Sequence, residues 1–171
     1  MDVTVGSRLR CEGAVSLPED GSGAHTGFMT DLSDLAAMSR TEQGLVVVAT
    51  TRADASVQAT VVNAGTMAHP VTGREVLAFV AGGAVKLANL RARPRATATV
   101  RSGWRWVTLE GAAEVAGPDD PLAGVDDVPA LLRAVFTAAG GTHADWDEFD
   151  ATMARERRAA VLVSPERVYG V

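Results

Sequence analysis

Lys86 is the residue of this sequence most clearly placed to bind an anion. It is the only lysine among 16 Lys and Arg residues, and it follows Gly82 and Gly83 at the start of a helix-like segment, 84–93. The positive end of the helix dipole disfavours a second cation at this place. A bound phosphate would reverse that cost, because free backbone amides, the dipole and the ammonium would all face it. Spacing alone leaves a solvated surface lysine equally acceptable.

Trp104 and Trp106 are the second feature that could form part of a binding site. They stand two positions apart on a predicted strand and therefore share one face, with Arg105 on the other. Two large aromatic rings can fill a core, and they can equally stack on a flat heterocyclic ligand. Both interpretations stay open at this point.

Metal-dependent and nucleophilic chemistry find little support. The histidines, His25, His69 and His143, lie in separate predicted loops without a second ligand at metal-binding spacing. The acidic run at 145–150 is typical of the first turn of a helix. Cys11 has no disulfide partner and no helix start that would lower the pKa of its thiol. The sequence contains no G-x-S-x-G elbow, Walker loop or G-x-G-x-x-G motif.

Composition narrows the class of protein. A chain of 171 residues with 47% hydrophobic residues predicts one globular domain with a substantial core. No apolar run reaches the roughly 18 residues of a membrane span, and the first 15 residues lack a signal-peptide pattern. We therefore expect a cytoplasmic protein without a membrane partner. A net charge of −5, with one small basic cluster at 91–95, argues against nucleic-acid binding.

The elements that must position these residues predict a β-rich α+β domain. Residues 1–29 lack a sustained period and predict an irregular N-terminal extension, so the domain spans 30–171. We predict strands at 45–51, 56–63, 75–80, 95–101, 104–115 and 159–163, with connections at 65–73 and 118–127. Helices are predicted at 31–39, 84–93, 128–139 and 145–155. This spacing suits a small antiparallel closed or split barrel with flanking helices.

Four segments occur in an order shared with a known family. They are the hairpin 45–62, the Lys-x-x-Asn-Leu-Arg-x-x-Pro-Arg-Ala segment at 86–96, the strand 104–113 with its Glu-Gly-x-Ala, and the closing helix and strand at 145–170. Together they resemble the pyridoxamine 5′-phosphate oxidase-like split-barrel flavin and deazaflavin oxidoreductases. More specifically, they resemble the actinobacterial branch that uses the deazaflavin coenzyme F-420.

The resemblance implies a Greek-key split barrel of the FMN-binding type, and a homodimer with the cofactor in a groove between subunits. It implies hydride transfer between F-420 and a small unsaturated or heteroaromatic substrate, with no catalytic side chain because the cofactor carries the chemistry. An FMN-dependent oxidase or reductase is the alternative, and a non-catalytic cofactor- or ligand-binding protein is a third hypothesis. The implied cofactor-binding residues are Gln58, Thr60, Val61, Val62, Val80, Ala84, Val85, Lys86, Asn89, Trp104 and Trp106.

Among these residues, Lys86 would bind the cofactor phosphate and Thr60 would form a hydrogen bond with the ring edge. Trp104 and Trp106 would line the pocket. The sequence departs from the family pattern two positions before the lysine, where Ala84 replaces a phosphate-binding residue, and at Asp54-Ala55, which replaces an Asp-Gly turn. Loss of one charge-assisted hydrogen bond costs about 1.5–3 kcal/mol, or roughly tenfold to hundredfold in affinity. Either the amides of 82–85 and another arginine compensate, or the chain binds its cofactor weakly or not at all.

Overall fold

The computed structural model describes residues 30–171, which form a six-stranded antiparallel barrel with four helices around it. The strands are β1 Leu45–Thr51, β2 Val57–Ala68, β3 Glu75–Ala81, β4 Arg95–Ser102, β5 Arg105–Ala116 and β6 Ala159–Gly170. The helices are α1 Leu32–Thr41, α2 Ala84–Ala92, α3 Val128–Ala138 and α4 Trp146–Arg155. This architecture confirms the predicted α+β split-barrel class. The extension predicted at 1–29, with Cys11 and His25, lies outside the described residues.

The barrel encloses the larger of two apolar cores in the described residues. Its strands follow the order β1-β2-β3-β6-β5-β4, and β4 returns to pair with β1. Alternate residues of each strand point inward, so Val48, Phe79 and Leu109 have no exposed surface. Leu35 of α1 and Leu90 of α2 belong to the same core, which means that both helices pack on the barrel interior.

The second core lies between the outer face of the β3–β6 pair and helices α3 and α4. Val76 and Leu162 point outward from the strands and contact side chains such as Val135 and Phe149 from the helices. Both faces of β3 after Glu75 and of the first five residues of β6 are therefore buried. This explains the apolar runs at 76–81 and 159–163, because only a half-exposed strand needs to alternate with polar residues.

Strand β2 is longer than the sequence predicts. Residues 65–68, predicted as part of a connection, continue the strand and pair with β3. Gly65 suggested a break, but its lack of a side chain serves packing instead. A Cβ atom at this position would lie 1.8 Å from the carbonyl oxygen of Ala138, so α3 ends directly against the strand.

Strand β6 also continues beyond its predicted end at Val163, reaching Gly170. Pro165 has no N–H to donate to a ladder and suggested that the strand stops there. The pairing instead shifts register between Glu110 and Gly111 of β5, opposite Pro165, and then resumes. The extra residue of this bulge is Glu166, which has no partner in β5, while Pro165 lies opposite Gly111.

Gly65→Ala tests the close packing of α3 on β2. The added methyl group would meet backbone, which cannot move aside as a flexible side chain can. We expect the free energy of unfolding to fall by about 3 kcal/mol, measured by urea denaturation. Gly73→Ala is the control, since its site is open but its φ of 68° disfavours a side chain by about 1 kcal/mol. Equal losses for the two variants would contradict the packing.

Candidate functional site

The candidate site begins where β2 and β3 separate. Strand β2 pairs with β1 from Val57 to Asn63, but it pairs with β3 only from Ala64 to Ala68. Beyond this point β3 lies beside β6 alone. Residues 57–63 of β2 therefore have a strand on one side only, and the backbone donors and acceptors of the other edge face a gap.

The gap opens into a cavity of about 590 Å³, a size typical of small-molecule sites. One wall combines the ends of both strands with the loop and helix that follow. It contains Val61, Val62, Asn63, Val80, Ala81, Gly82, Gly83 and Lys86. The opposite wall comes from α3, α4 and the residues after them, and it is largely apolar. It includes Val135, Phe136, Phe149, Met153 and Arg158.

Lys86 is a cation of this cavity that lacks a counter-charge. Only 8% of its surface is exposed, and no described residue forms a hydrogen bond or ion pair with its ammonium. Nζ lies 5.4 Å from the ring centre of Phe79, a contact that is weakly attractive. Burial lowers the pKa of Lys86 because the charged form loses hydration. An anion in the cavity would supply the missing ionic partner.

The start of α2 adds unpaired donors beside Lys86. Gly83 is the N-cap residue and has no side chain that could accept a hydrogen bond from the first turn. That turn contains no acidic residue, so neither a capping group nor a carboxylate offsets the positive helix end. Ala84 and Val85 are exposed on this turn. The backbone amides of the first turn of α2 and the side chain of Lys86 therefore lie close together, as the predicted phosphate site requires.

Thr60 contributes a second orphaned group. Its hydroxyl oxygen is the one side-chain polar atom of residues 30–171 that is fully buried and has no hydrogen-bond partner, whereas Lys86 keeps a small exposed surface. A buried hydroxyl without a partner costs about 1–3 kcal/mol of stability. Thr60 does not itself line the cavity, but the next residue, Val61, does, so a ligand edge laid along this part of β2 would come close to the hydroxyl.

Gln58 and Asn89 are placed differently from the other predicted site residues. The amide nitrogen of Asn89 donates to Thr50 Oγ1 at 3.1 Å and to Gln58 Oε1 at 3.2 Å. These bonds connect α2 to β1 and β2, and neither side chain lines the cavity. Their contacts in this structure position Lys86 rather than face a ligand.

The two tryptophans do not share a strand face, and that prediction is wrong. Gly103 has a φ of 60°, which favours a tight turn, and Trp104 is the next residue of that turn, so β5 begins only at Arg105. Trp104 is 97% exposed. Trp106 packs edge-on against Tyr169, with ring centres 5.8 Å apart. Neither tryptophan lines the cavity of this chain.

The remaining candidates for metal chemistry have structural partners. His69 is buried, with Nε2 3.0 Å from Glu114 Oε2 and Nδ1 accepting from the backbone N–H groups of Val71 and Thr72. Within residues 30–171, no three His, Cys, Asp or Glu side chains are grouped as a metal site. The same part of the chain contains no helix with the length and apolar character needed to span a membrane.

Solved structures with this fold include proteins of the group that the sequence resembles. The conserved hypothetical protein Rv2991 from Mycobacterium tuberculosis superposes with a TM-score of 0.60 at 17% identity, covering 87% of this chain and 89% of that one. An F-420 reductase matches with a TM-score of 0.51 at 18% identity, over 73% and 88% of the two chains.

A pyridoxamine 5′-phosphate oxidase-related, FMN-binding protein from Nostoc punctiforme matches with a TM-score of 0.55 at 13% identity, over 81% of each chain. A heme-binding protein is among the other solved structures of similar shape. No protein-family model matches the sequence. These likenesses establish the split-barrel fold, and the function must be argued from the cavity.

The stability of the protein should depend on pH through Lys86. Its lowered pKa means that the cost of burying the ammonium is fully present below that pKa and disappears as the pH rises toward the ordinary value. Lys86→Met removes the charge at similar length, so we expect a higher Tm near about pH 7 and a smaller gain near about pH 10. Thermal melts would measure both, with the exposed Arg155→Met as control. A lower Tm for Lys86→Met at neutral pH would contradict an unpaired ammonium.

Proposed function

We propose that the protein is a deazaflavin-dependent oxidoreductase, which binds coenzyme F-420 in the cavity and transfers a hydride to or from a small unsaturated or heteroaromatic substrate. The observation that carries the proposal is the buried, unpartnered ammonium of Lys86 at the mouth of the β2–β3 gap. A stable fold gains nothing from such a charge, whereas a site for an anionic ligand requires one.

The residues of the cavity suit the parts of this cofactor. Lys86 and the free amides at the start of α2 would hold the phosphate. The open edge of β2 and the unpaired hydroxyl of Thr60 would bind the polar edge of the ring. Val80 and the apolar side chains of α3 would cover the ring and exclude water. When bound, the deazaflavin supplies the hydride chemistry, so the protein needs to position the ring and the substrate.

Binding experiments with two cofactors distinguish this proposal from its alternatives. Purified protein would be titrated with F-420 and with FMN, following ligand fluorescence. We expect F-420 to bind, and Lys86→Met to weaken binding at least about tenfold through loss of a charge-assisted contact. Tight binding of FMN without F-420 would favour an FMN-dependent enzyme. Binding of F-420 without turnover of any unsaturated or heteroaromatic substrate would favour the non-catalytic ligand-binding protein that Ala84 suggests.

We also propose a homodimer, formed through the outer face of β1 and β2. Four valine and leucine side chains on this face are between 44% and 63% exposed. They are Leu45, Val47, Val57 and Val61. Val47 and Val61 are direct cross-strand neighbours, and Val61 also lines the cavity. A contiguous apolar face of this kind is typical of a protein interface, and its position would bring a second subunit next to the ligand.

Val57→Glu tests the interface. A carboxylate at this position would be buried against a second copy, so we expect the mass measured by size-exclusion chromatography with light scattering to fall from dimer to monomer. Val71→Glu is the matched control, since Val71 is 51% exposed but lies in the loop after β2. A dimer that persists in Val57→Glu would place the interface elsewhere.

A further inference from the structure

We propose that Arg158 is the second phosphate-binding cation of the cavity, and that it takes the role of the side chain absent at Ala84. The proposal rests on the proposed function, because the phosphate in question is that of the bound cofactor. It assigns a binding role to a residue far from Lys86 in sequence, at the junction between α4 and β6.

The backbone fixes Arg158 at this junction. Glu156 caps the end of α4, and Arg157 adopts a left-handed conformation with a φ of 50°. The N–H of Arg157 donates to the carbonyl of Ala154 at 3.1 Å, and the N–H of Arg158 donates to that of Met153 at 2.9 Å. This pair of bonds is a Schellman motif, which ends the helix in a defined direction.

The register of β6 then brings Arg158 to the loop that precedes Lys86. Ala159 pairs with Ala81, so Arg158 lies opposite Gly82. A Cβ atom at Gly82 would be 2.5 Å from both Cδ and Nε of Arg158 and 2.8 Å from Cζ. The arginine side chain therefore lies directly against the glycine backbone. Gly82, Arg158 and Lys86 line the same cavity.

The present partner of Arg158 is exchangeable. Nε and Nη2 contact Glu156 Oε2 at 2.9 and 2.7 Å, while Nη1 makes no hydrogen bond to any described residue. The two side chains are 38% and 41% exposed, and ion pairs in such surroundings contribute little to stability. A phosphate carries more acceptor atoms than one carboxylate oxygen and can be bound by the guanidinium in a fork.

This arrangement gives the cavity two different cations. Lys86 is held without an ionic partner, whereas Arg158 is neutralised by Glu156 until an anion replaces that carboxylate. Glu156 therefore competes with the ligand. Its removal should strengthen binding, whereas a purely structural ion pair at the end of α4 would leave affinity unchanged.

Six proteins test the proposal: the wild type, Arg158→Ala, Arg158→Lys, Glu156→Gln, Lys86→Met and one control variant. Each would be titrated with F-420 and with FMN by ligand fluorescence, after thermal melts confirm folding. We expect Arg158→Ala to weaken the binding cofactor about tenfold to hundredfold. Arg158→Lys should recover part of this loss, and Glu156→Gln should bind more tightly than the wild type. Arg74→Ala removes the same charge from an exposed residue outside the cavity, away from Glu156, and serves as the control.

The outcomes distinguish a failure of the role of Arg158 from a failure of the proposed function. If Lys86→Met loses affinity while Arg158→Ala binds as Arg74→Ala does, Arg158 has no part in phosphate binding and only the present proposal fails. Unchanged affinity in Glu156→Gln would likewise contradict competition by the carboxylate. If the wild type binds neither cofactor, the proposed function fails, and the role of Arg158 fails with it.

Discussion

An ammonium group buried without a counter-charge is the constraint on which the rest of the site depends. Removing a cation from water is costly, and the described residues offer Lys86 no carboxylate in return. The fold maintains this state by rigid means. Helix α2 is fixed to the barrel by Leu87 and Leu90 in the core and by the amide of Asn89 between Thr50 and Gln58. The backbone of Lys86 is therefore fixed beside the cavity.

The cavity is held open by close contacts between backbone segments elsewhere. Gly65 allows α3 to end against β2, and Gly44 lies similarly near the carbonyl of Ala139, which a Cβ atom would approach to 2.6 Å. Helix α3 cannot move closer, and its side chains at Val135 and Phe136 form the far wall. The volume between the barrel and this helix is thus set by two glycines that belong neither to residues 57–63 of β2 nor to the segment around Lys86.

The barrel could be predicted from the sequence because the apolar periodicity matches the observed strands and helices, and because they follow one another in the predicted order. Residue type and spacing singled out Lys86, and the structure places it in the wall of the cavity. Where prediction failed, distant contacts decided the outcome. Strand β6 passes Pro165 because β5 accommodates it, and Trp104 leaves the strand because Gly103 turns the chain first. Arg158 could not be predicted at all, since its position follows from the register between β3 and β6.

The divided pairing of β2 gives its two halves different tolerance to sequence change. Residues 64–68 pair with β3 and, at Gly65, lie against the end of α3, so a substitution there can disturb both the closure of the barrel and the packing of a helix. Residues 57–63 depend on β1 alone. Their side chains can vary at lower cost to folding while they alter what the gap accepts. One continuous strand thus separates the part of the fold that must be inherited intact from the part in which ligand preference can evolve.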